Sequence, residues 1–319
     1  MRQTTSPIRQ VARGAFTLVE MLVVLAIIFI LVSLAAGAIM KVLTVQQQHV
    51  TQQTVQKLDG ALNSHLKSVI DTAKAEAPQV PTNPTLNPLA WQLSGNDQRR
   101  AQVIHVLMCL KREFPNSFSE AVNPFPYYQQ SGYSSMPPNP SYVRALTNIS
   151  NRANPVDEAS SCLYLALKQS RRGSNFDPDS ALSTAELVTP FGDGVKEIYD
   201  AWSRPINFIR WPVTNGPKMG SVGPYPVGTL QSFPPPPQRP NPPADSEDPE
   251  LLLVDANWLK WLQNTPGFML LWQQNVGYPL GSVDNSGNRF QYALAPLIMS
   301  NGYNGNPYDS DDIYNIQAR

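Results

Sequence analysis

The chain has 319 residues with 24 Lys+Arg and 24 Asp+Glu, a formal net charge of zero, which excludes a nucleic-acid binder resting on bulk positive charge. Hydrophobic residues make up 42%, which excludes a wholly disordered chain, and two cysteines with three histidines are too few for a zinc ribbon or a disulfide scaffold. Only 15% of residues are charged, while the 31 prolines are about twice the usual share of roughly 5%.

Residues 1–15 are polar and basic, with Arg2, Arg9 and Arg13 and no acid. Phe16-Thr17-Leu18-Val19-Glu20 follows, and residues 21–40 then run as MLVVLAIIFILVSLAAGAIM without a charge. At about 1.5 Å per residue this run matches a hydrocarbon core of about 30 Å. A lone span has to be helical, because its backbone groups must bond internally. The basic flank places residues 1–15 in the cytoplasm and the rest of the chain outside. The run exceeds the roughly 7–15 apolar residues of a cleaved secretory signal. A plain anchor would leave Glu20 unexplained, since a carboxylate in an apolar span costs about 2.5–3.5 kcal/mol on insertion scales.

The stretch Arg13-Gly14-Ala15-Phe16-Thr17-Leu18-Val19-Glu20, with the apolar run behind it, resembles the amino-terminal signal of type IV pilins and type II secretion pseudopilins. The resemblance implies a cytoplasmic cut by prepilin peptidase between Ala15 and Phe16. Gly14 stands one place before the family's usual glycine, so a cut after Gly14 is the alternative. It further implies methylation of the new amino terminus and a pairing of Glu20 with it. In physical terms, the Phe16 ammonium of one subunit and the Glu20 carboxylate of a neighbour would neutralise each other in low dielectric and set the axial register of assembly. Loss of Arg2, Arg9 and Arg13 with the leader leaves 21 Lys+Arg against 24 Asp+Glu.

Further along, Val55, Leu58, Leu62, Leu66, Val69, Ile70 and Ala73 recur at helical spacing, and the prolines resume at Pro78. One helix is therefore expected over residues 16–77, with 16–45 as membrane and assembly stem and the outer part packed on a head. His49 and His65 lie on it at no metal-ligand spacing. Residues 78–88 read as a proline-punctuated linker. Residues 99–114 read as a helix with Val103, Ile104, Leu107 and Leu110 in a stripe. His105 and Cys109, four apart, have the spacing of a metal pair, but no further His or Cys is near and a core helix explains both. Residues 115–140 read as an irregular loop, and 141–150 and 155–170 as two short helices. Cys109 and Cys162 would lie outside the cytoplasm, where they form either a disulfide or two buried thiols.

From Phe191 the texture changes. Phe191-Gly192-Asp193-Gly194 reads as a turn and INFIRW, 206–211, as a strand. The densest proline and glycine, 216–248, read as a solvent-facing insertion. Residues 251–263 read as a helix, and 268–274 and 290–299 as strands. The expected fold class is α+β and pilin-like: a long amino-terminal helix on a head with helices at 78–190 and a small antiparallel sheet at 191–319.

The resemblance reaches two later segments. Asp200-Ala201-Trp202-Ser203-Arg204-Pro205 is similar to the motif that opens the sheet of the major pseudopilin of type II secretion, with Ser203 where that family has glycine. Residues 296–315 resemble its final strand and acidic loop, which implies calcium held by Ser300, Asn304, Asp309, Asp311 and Asp312. The alternative is a solvated acidic turn. Clustered oxygens suit a hard cation, although the twelve-residue EF-hand pattern is absent.

No Walker loop, nucleophile elbow, HExxH or dinucleotide fingerprint occurs, so no enzyme and no nucleic-acid partner is expected. The expectation is a pseudopilin-like structural subunit of a type II secretion-like filament at a bacterial inner membrane. It would polymerise with itself or with other pilin-like subunits. Its partners would be prepilin peptidase/methylase, an inner-membrane assembly platform and an ATPase. A type IV pilus subunit or minor pilin with an adhesive head is the alternative, and a membrane-anchored hydrolase a remote one.

Overall fold

The computed structural model describes residues 18–80, 87–126, 136–169, 176–211, 248, 250–278, 280, 296–305 and 313–315, and the backbone of 282–283 and 289–290. The chain divides into two units, Met1–Gln47 and Gln48–Arg319.

One helix, α1 (Leu18–Glu76), contributes to both units. In the first unit its large apolar side chains are exposed. In the second, Thr51, Thr54, Val55, Leu58, Ala61, Leu62, His65, Val69 and Ala73 are buried, at spacings of three and four. This face is tied at several points. The Ala201 amide donates to Thr51 Oγ1 at 3.1 Å. The Thr54 hydroxyl bonds Glu186, and Asn315 donates to Asp59 at 2.7 Å. His65 meets Phe114 edge-on at 5.0 Å. The helix gives way to a 3₁₀ turn, Ala77–Gln79, at Pro78, which lacks the N–H a continuing helix needs.

The head is built around two helices. α2 (Pro88–Leu93) leads into α3 (Gln98–Glu113), whose residues from Ile104 to Lys111 are all buried. It is a central helix covered on every side rather than the one-faced helix expected. α4 (Phe118–Val122) and α5 (Pro140–Leu146) flank α6 (Pro155–Lys168), which is buried continuously from Glu158 to Leu167. α7 (Pro178–Ala181) follows. β1 (Leu187–Val188) pairs antiparallel with β2 (Glu197–Ile198), and Ser160 on α6 bonds both the amide and the carbonyl of Ile198 at 2.9 Å. β3 (Asn207–Ile209) then opens the three-stranded sheet. After α8 (Ala256–Asn264) and α9 (Phe268–Leu271) come the hairpin β4 (Ser282–Val283) with β5 (Arg289–Phe290), then β6 (Leu297–Ser300) and β7 (Ile313–Tyr314). The sheet order is β3-β6-β7, antiparallel throughout. The architecture is α+β with a long amino-terminal helix and small antiparallel sheets, the pilin-like layout expected.

Several expectations need correction. The linker at 78–88 ends in a helix, because α2 starts at Pro88 with the Asn87 side chain accepting from the Ala90 amide. α5, α6 and α7 begin in the same way on Asn139-Pro140, Asn154-Pro155 and Asp177-Pro178. Asx supplies the missing acceptor at the helix start, and proline needs no N–H at the first helical position. Four head prolines, Pro88, Pro140, Pro155 and Pro178, are thus helix starts rather than loop marks. The region 115–140 contains α4, capped by Ser117. The expected strand at 268–274 is helical: α9 passes into a π-helical turn at Trp272–Val276. A short apolar run such as FMLLW carries no periodicity that separates strand from helix, and the core decides. Trp272 is buried edge-on to Trp258 at 5.4 Å, and its Nε1 donates to the Tyr278 carbonyl at 2.8 Å. The strand expected over 290–299 is two pieces, β5 and β6, in different sheets. The insertion at 216–248 lies outside the described residues except Asp248, which is buried and accepts from the Leu252 and Leu253 amides at 2.8 Å.

Candidate functional site

Two places carry the residues singled out above. The first is the inner half of α1. Phe29 is 73% and Leu34 68% exposed, and the same holds along the run from Leu18 to Val45. The polar interruptions are masked: Ser33 donates to the Ile30 carbonyl at 2.8 Å and Thr44 to the Met40 carbonyl at 3.1 Å. A helix with this surface meets the length and composition needed to cross a membrane. Glu20 stands in its first turn, where the positive end of the helix dipole favours a carboxylate. Gly14, Ala15 and Phe16 lie outside the described residues.

The second place is where Asp200 meets the turn after β6. Asp200 Oδ1 accepts from the amides of Trp202 and Arg204, each at 2.9 Å, and Oδ2 from the Ser300 hydroxyl at 2.7 Å. Burial raises the Asp200 carboxyl above its ordinary value against these bonds. The tight turn needs a left-handed residue, and Ser203 adopts it with φ of +61°. A glycine there would carry no steric cost. Arg204 Nη1 donates to the Gly302 carbonyl at 2.8 Å, and a Cβ at Gly305 would collide with its guanidinium. The two segments that resemble pseudopilin motifs therefore meet, joined by Asp200 and by the β3–β6 ladder.

Of the expected calcium donors, Ser300 and Asn304 are described, and Asp309, Asp311 and Asp312 are not. Ser300 is buried with its hydroxyl on Asp200, and the Gly302 carbonyl is engaged by a guanidinium. Two oxygens of the turn are thus committed within the chain, whereas calcium needs six to eight.

Cys109 and Cys162 are both buried thiols, with no disulfide between them; the bridge allowed on sequence is not made. Each is packed in its own setting. Cys162 is enclosed on α6, where burial pushes its thiol well up. Cys109 Sγ lies 3.6 Å from His105 Nε2. Burial, with Arg112 nearby, lowers His105 to about 4, so its imidazole is neutral. Glu76, the last residue of α1, brings Oε2 to 3.6 Å from the same Nε2.

Sequence reasoning missed one further group. Arg210 makes a bidentate pair with Glu120 at 2.9 and 3.0 Å and donates to the Phe114 carbonyl at 2.6 Å. Lys111 Nζ lies 3.6 Å from Glu120 and donates to the Gln274 carbonyl. Burial works against the Glu120 carboxylate, but Arg210 and Lys111 hold it down at about 2, while burial draws Lys111 down to about 8. No local pattern announces this network, whose partners lie 90 residues apart. A groove of about 890 Å³ opens beside it, lined among others by Phe118, Pro124, Trp211 and Gln274.

Residues 12–36 match the family model described as the prokaryotic N-terminal methylation motif. No curated protein and no solved structure matches the chain. The matched motif and the exposed apolar helix agree: the chain carries the prepilin-type amino-terminal signature of pilins and pseudopilins on a helix long and apolar enough to cross a membrane.

Proposed function

We propose that the protein is a pseudopilin-like structural subunit of a type II secretion-like filament, with no catalytic role of its own. The observation that carries this is the prepilin signature running into an exposed apolar helix with Glu20 in its first turn. Processing before Phe16 would create an ammonium one helical turn from Glu20. Packing of many such helices would pair that ammonium with the Glu20 of a neighbour, because either charge alone in hydrocarbon is costly. The amino terminus would face the cytoplasm and the head the far side of a bacterial inner membrane. Amino-terminal sequencing of the membrane-extracted protein tests the reading: a mature chain beginning at Phe16, or at Ala15, is expected, and an unprocessed Met1 would remove it.

Calcium enters this proposal only through Asn304, Asp309, Asp311 and Asp312, since Ser300 is committed to Asp200. Calorimetry of the purified chain, wild type against Asp311→Ala with Asp312→Ala, decides it: absence of calcium heat in the wild type ends the idea.

A surface pilus with a binding head is the second reading, favoured by the groove beside Trp211 and Phe118. Electron microscopy of cells separates the two, since long external fibres belong to the pilus reading and their absence to the secretion reading.

A further inference from the structure

We propose that Glu76, His105 and Cys109 form a binding site for a soft divalent cation of the zinc type, fastening the last turn of α1 to α3. The three donor atoms lie within 4.8 Å of one another. His105 Nε2 is central, 3.6 Å from both Glu76 Oε2 and Cys109 Sγ. Zinc bonds of about 2.0–2.3 Å at tetrahedral angles put neighbouring donors about 3.3–3.6 Å apart. The two separations of 3.6 Å fall at the upper end of that range, so a small inward movement of Glu76 would bring all three donors around one ion. His105 and Glu76 are suited to that: the histidine side chain is 1% exposed and fixed, the glutamate 48% exposed and able to swing.

The chemistry selects the ion. One thiolate, one imidazole and one carboxylate suit zinc, cobalt(II) or copper, and do not suit calcium or magnesium, which take oxygen ligands. A dication bound to a thiolate and a carboxylate is electrically neutral, so the buried part of the site holds no uncompensated charge. Three protein ligands leave a fourth position for water on the Glu76 side. Binding releases the Cys109 thiol proton to solvent.

Asn87 sets the strength of the site. Its Oδ1 caps the Ala90 amide at 3.1 Å, which turns its Nδ2 toward His105 Nδ1 at 3.1 Å. An amide donor at Nδ1 places the ring proton on Nε2, where the ion must bind. Occupation therefore requires the ring proton to move to Nδ1 and the Asn87 amide to turn over, giving up the cap on α2. The site is correspondingly weakened, and Asn87→Asp would relieve it: one carboxylate oxygen keeps the cap and the other accepts from Nδ1–H, the arrangement that supports metal-bound histidines.

The test uses the full chain in detergent with cobalt(II) as probe. One cobalt per chain is expected, with a sulfur-to-cobalt charge-transfer band that zinc displaces. Glu76→Gln, at a half-exposed position the fold tolerates, should weaken binding at least tenfold. Cys109→Ser should abolish the band, and Asn87→Asp should tighten binding about tenfold or more. A wild type without the band overturns the proposal, as does a band that survives Cys109→Ser, which would point to Cys162. Unchanged affinity in Glu76→Gln likewise overturns it.

Discussion

The inner and outer halves of α1 are one continuous helix built from much the same apolar residues, yet they are read by opposite rules. In the inner half every face is apolar and exposed, and the hydroxyls are turned back onto the helix. In the outer half the apolar residues keep to one stripe, and that stripe is buried with Thr51 and Thr54 among it. Hydrophobicity alone does not say what covers a helix; its distribution around the axis does. A helix apolar all round needs a surrounding that is apolar all round, while a striped helix needs a single partner surface.

The largest expected effect breaks the first half without touching the second. Glu20→Leu should abolish assembly in a co-expression assay while the head keeps its melting temperature; filaments at wild-type level would show that no intersubunit charge pair is needed. Next comes a paired truncation. Leu58→Ala, at a site with 0% exposure, should cost about 2–5 kcal/mol of head stability, whereas Leu31→Ala, at 60% exposure, should leave head unfolding unchanged. Equal losses in the two variants would erase the distinction between the halves.

Smaller effects sharpen the head side of the comparison. Glu197, buried on β2, is pushed up to about 7 from an ordinary 4.5 by burial and then by Asp157, with Arg152 opposing. Its unfolded form ionises first as pH rises, so the folded state loses stability between about pH 4.5 and pH 7. Glu197→Gln should remove that loss, gaining on the order of 2 kcal/mol at pH 8 and nothing at pH 4. Denaturation curves for the two proteins that run parallel across this range would refute the assignment. Glu120 works in the reverse sense: held at about 2, its contribution is present above pH 4.5 and fades as the pH falls toward 2. Least of all, Ser203→Gly should raise stability by about 1 kcal/mol by relieving φ of +61°. A lower melting temperature would mean that the serine hydroxyl earns its place by another contact.

The readable parts of the sequence were those governed by period or by a single residue's geometry. The apolar run, the spacing from Val55 to Ala73, the helices at Gln98–Glu113 and Pro155–Lys168 and the β3 strand all follow from such patterns. The Asx-Pro starts were equally legible but carry a double meaning, since proline ends one helix and begins the next. What was not legible depends on distant partners. FMLLW becomes helical because Trp272 has a slot beside Trp258. Glu120 finds Arg210 across 90 residues, and Glu76 reaches His105 only because the 3₁₀ turn at Ala77–Gln79 packs on α3. Asp200 was visible as part of a motif, whereas its bond to Ser300 was not.

The bond from Asn315 to Asp59 has a consequence in time. Asn315 also accepts from the Ile298 amide and donates to the Pro296 carbonyl, so one side chain closes β6 and the outer face of α1 together. These partners are separated by 256 residues, and a ribosome delivers Asp59 long before Asn315. In a chain made amino terminus first, the outer face of α1 therefore waits for β7 before this tie can form, so the packing around it is completed late in folding.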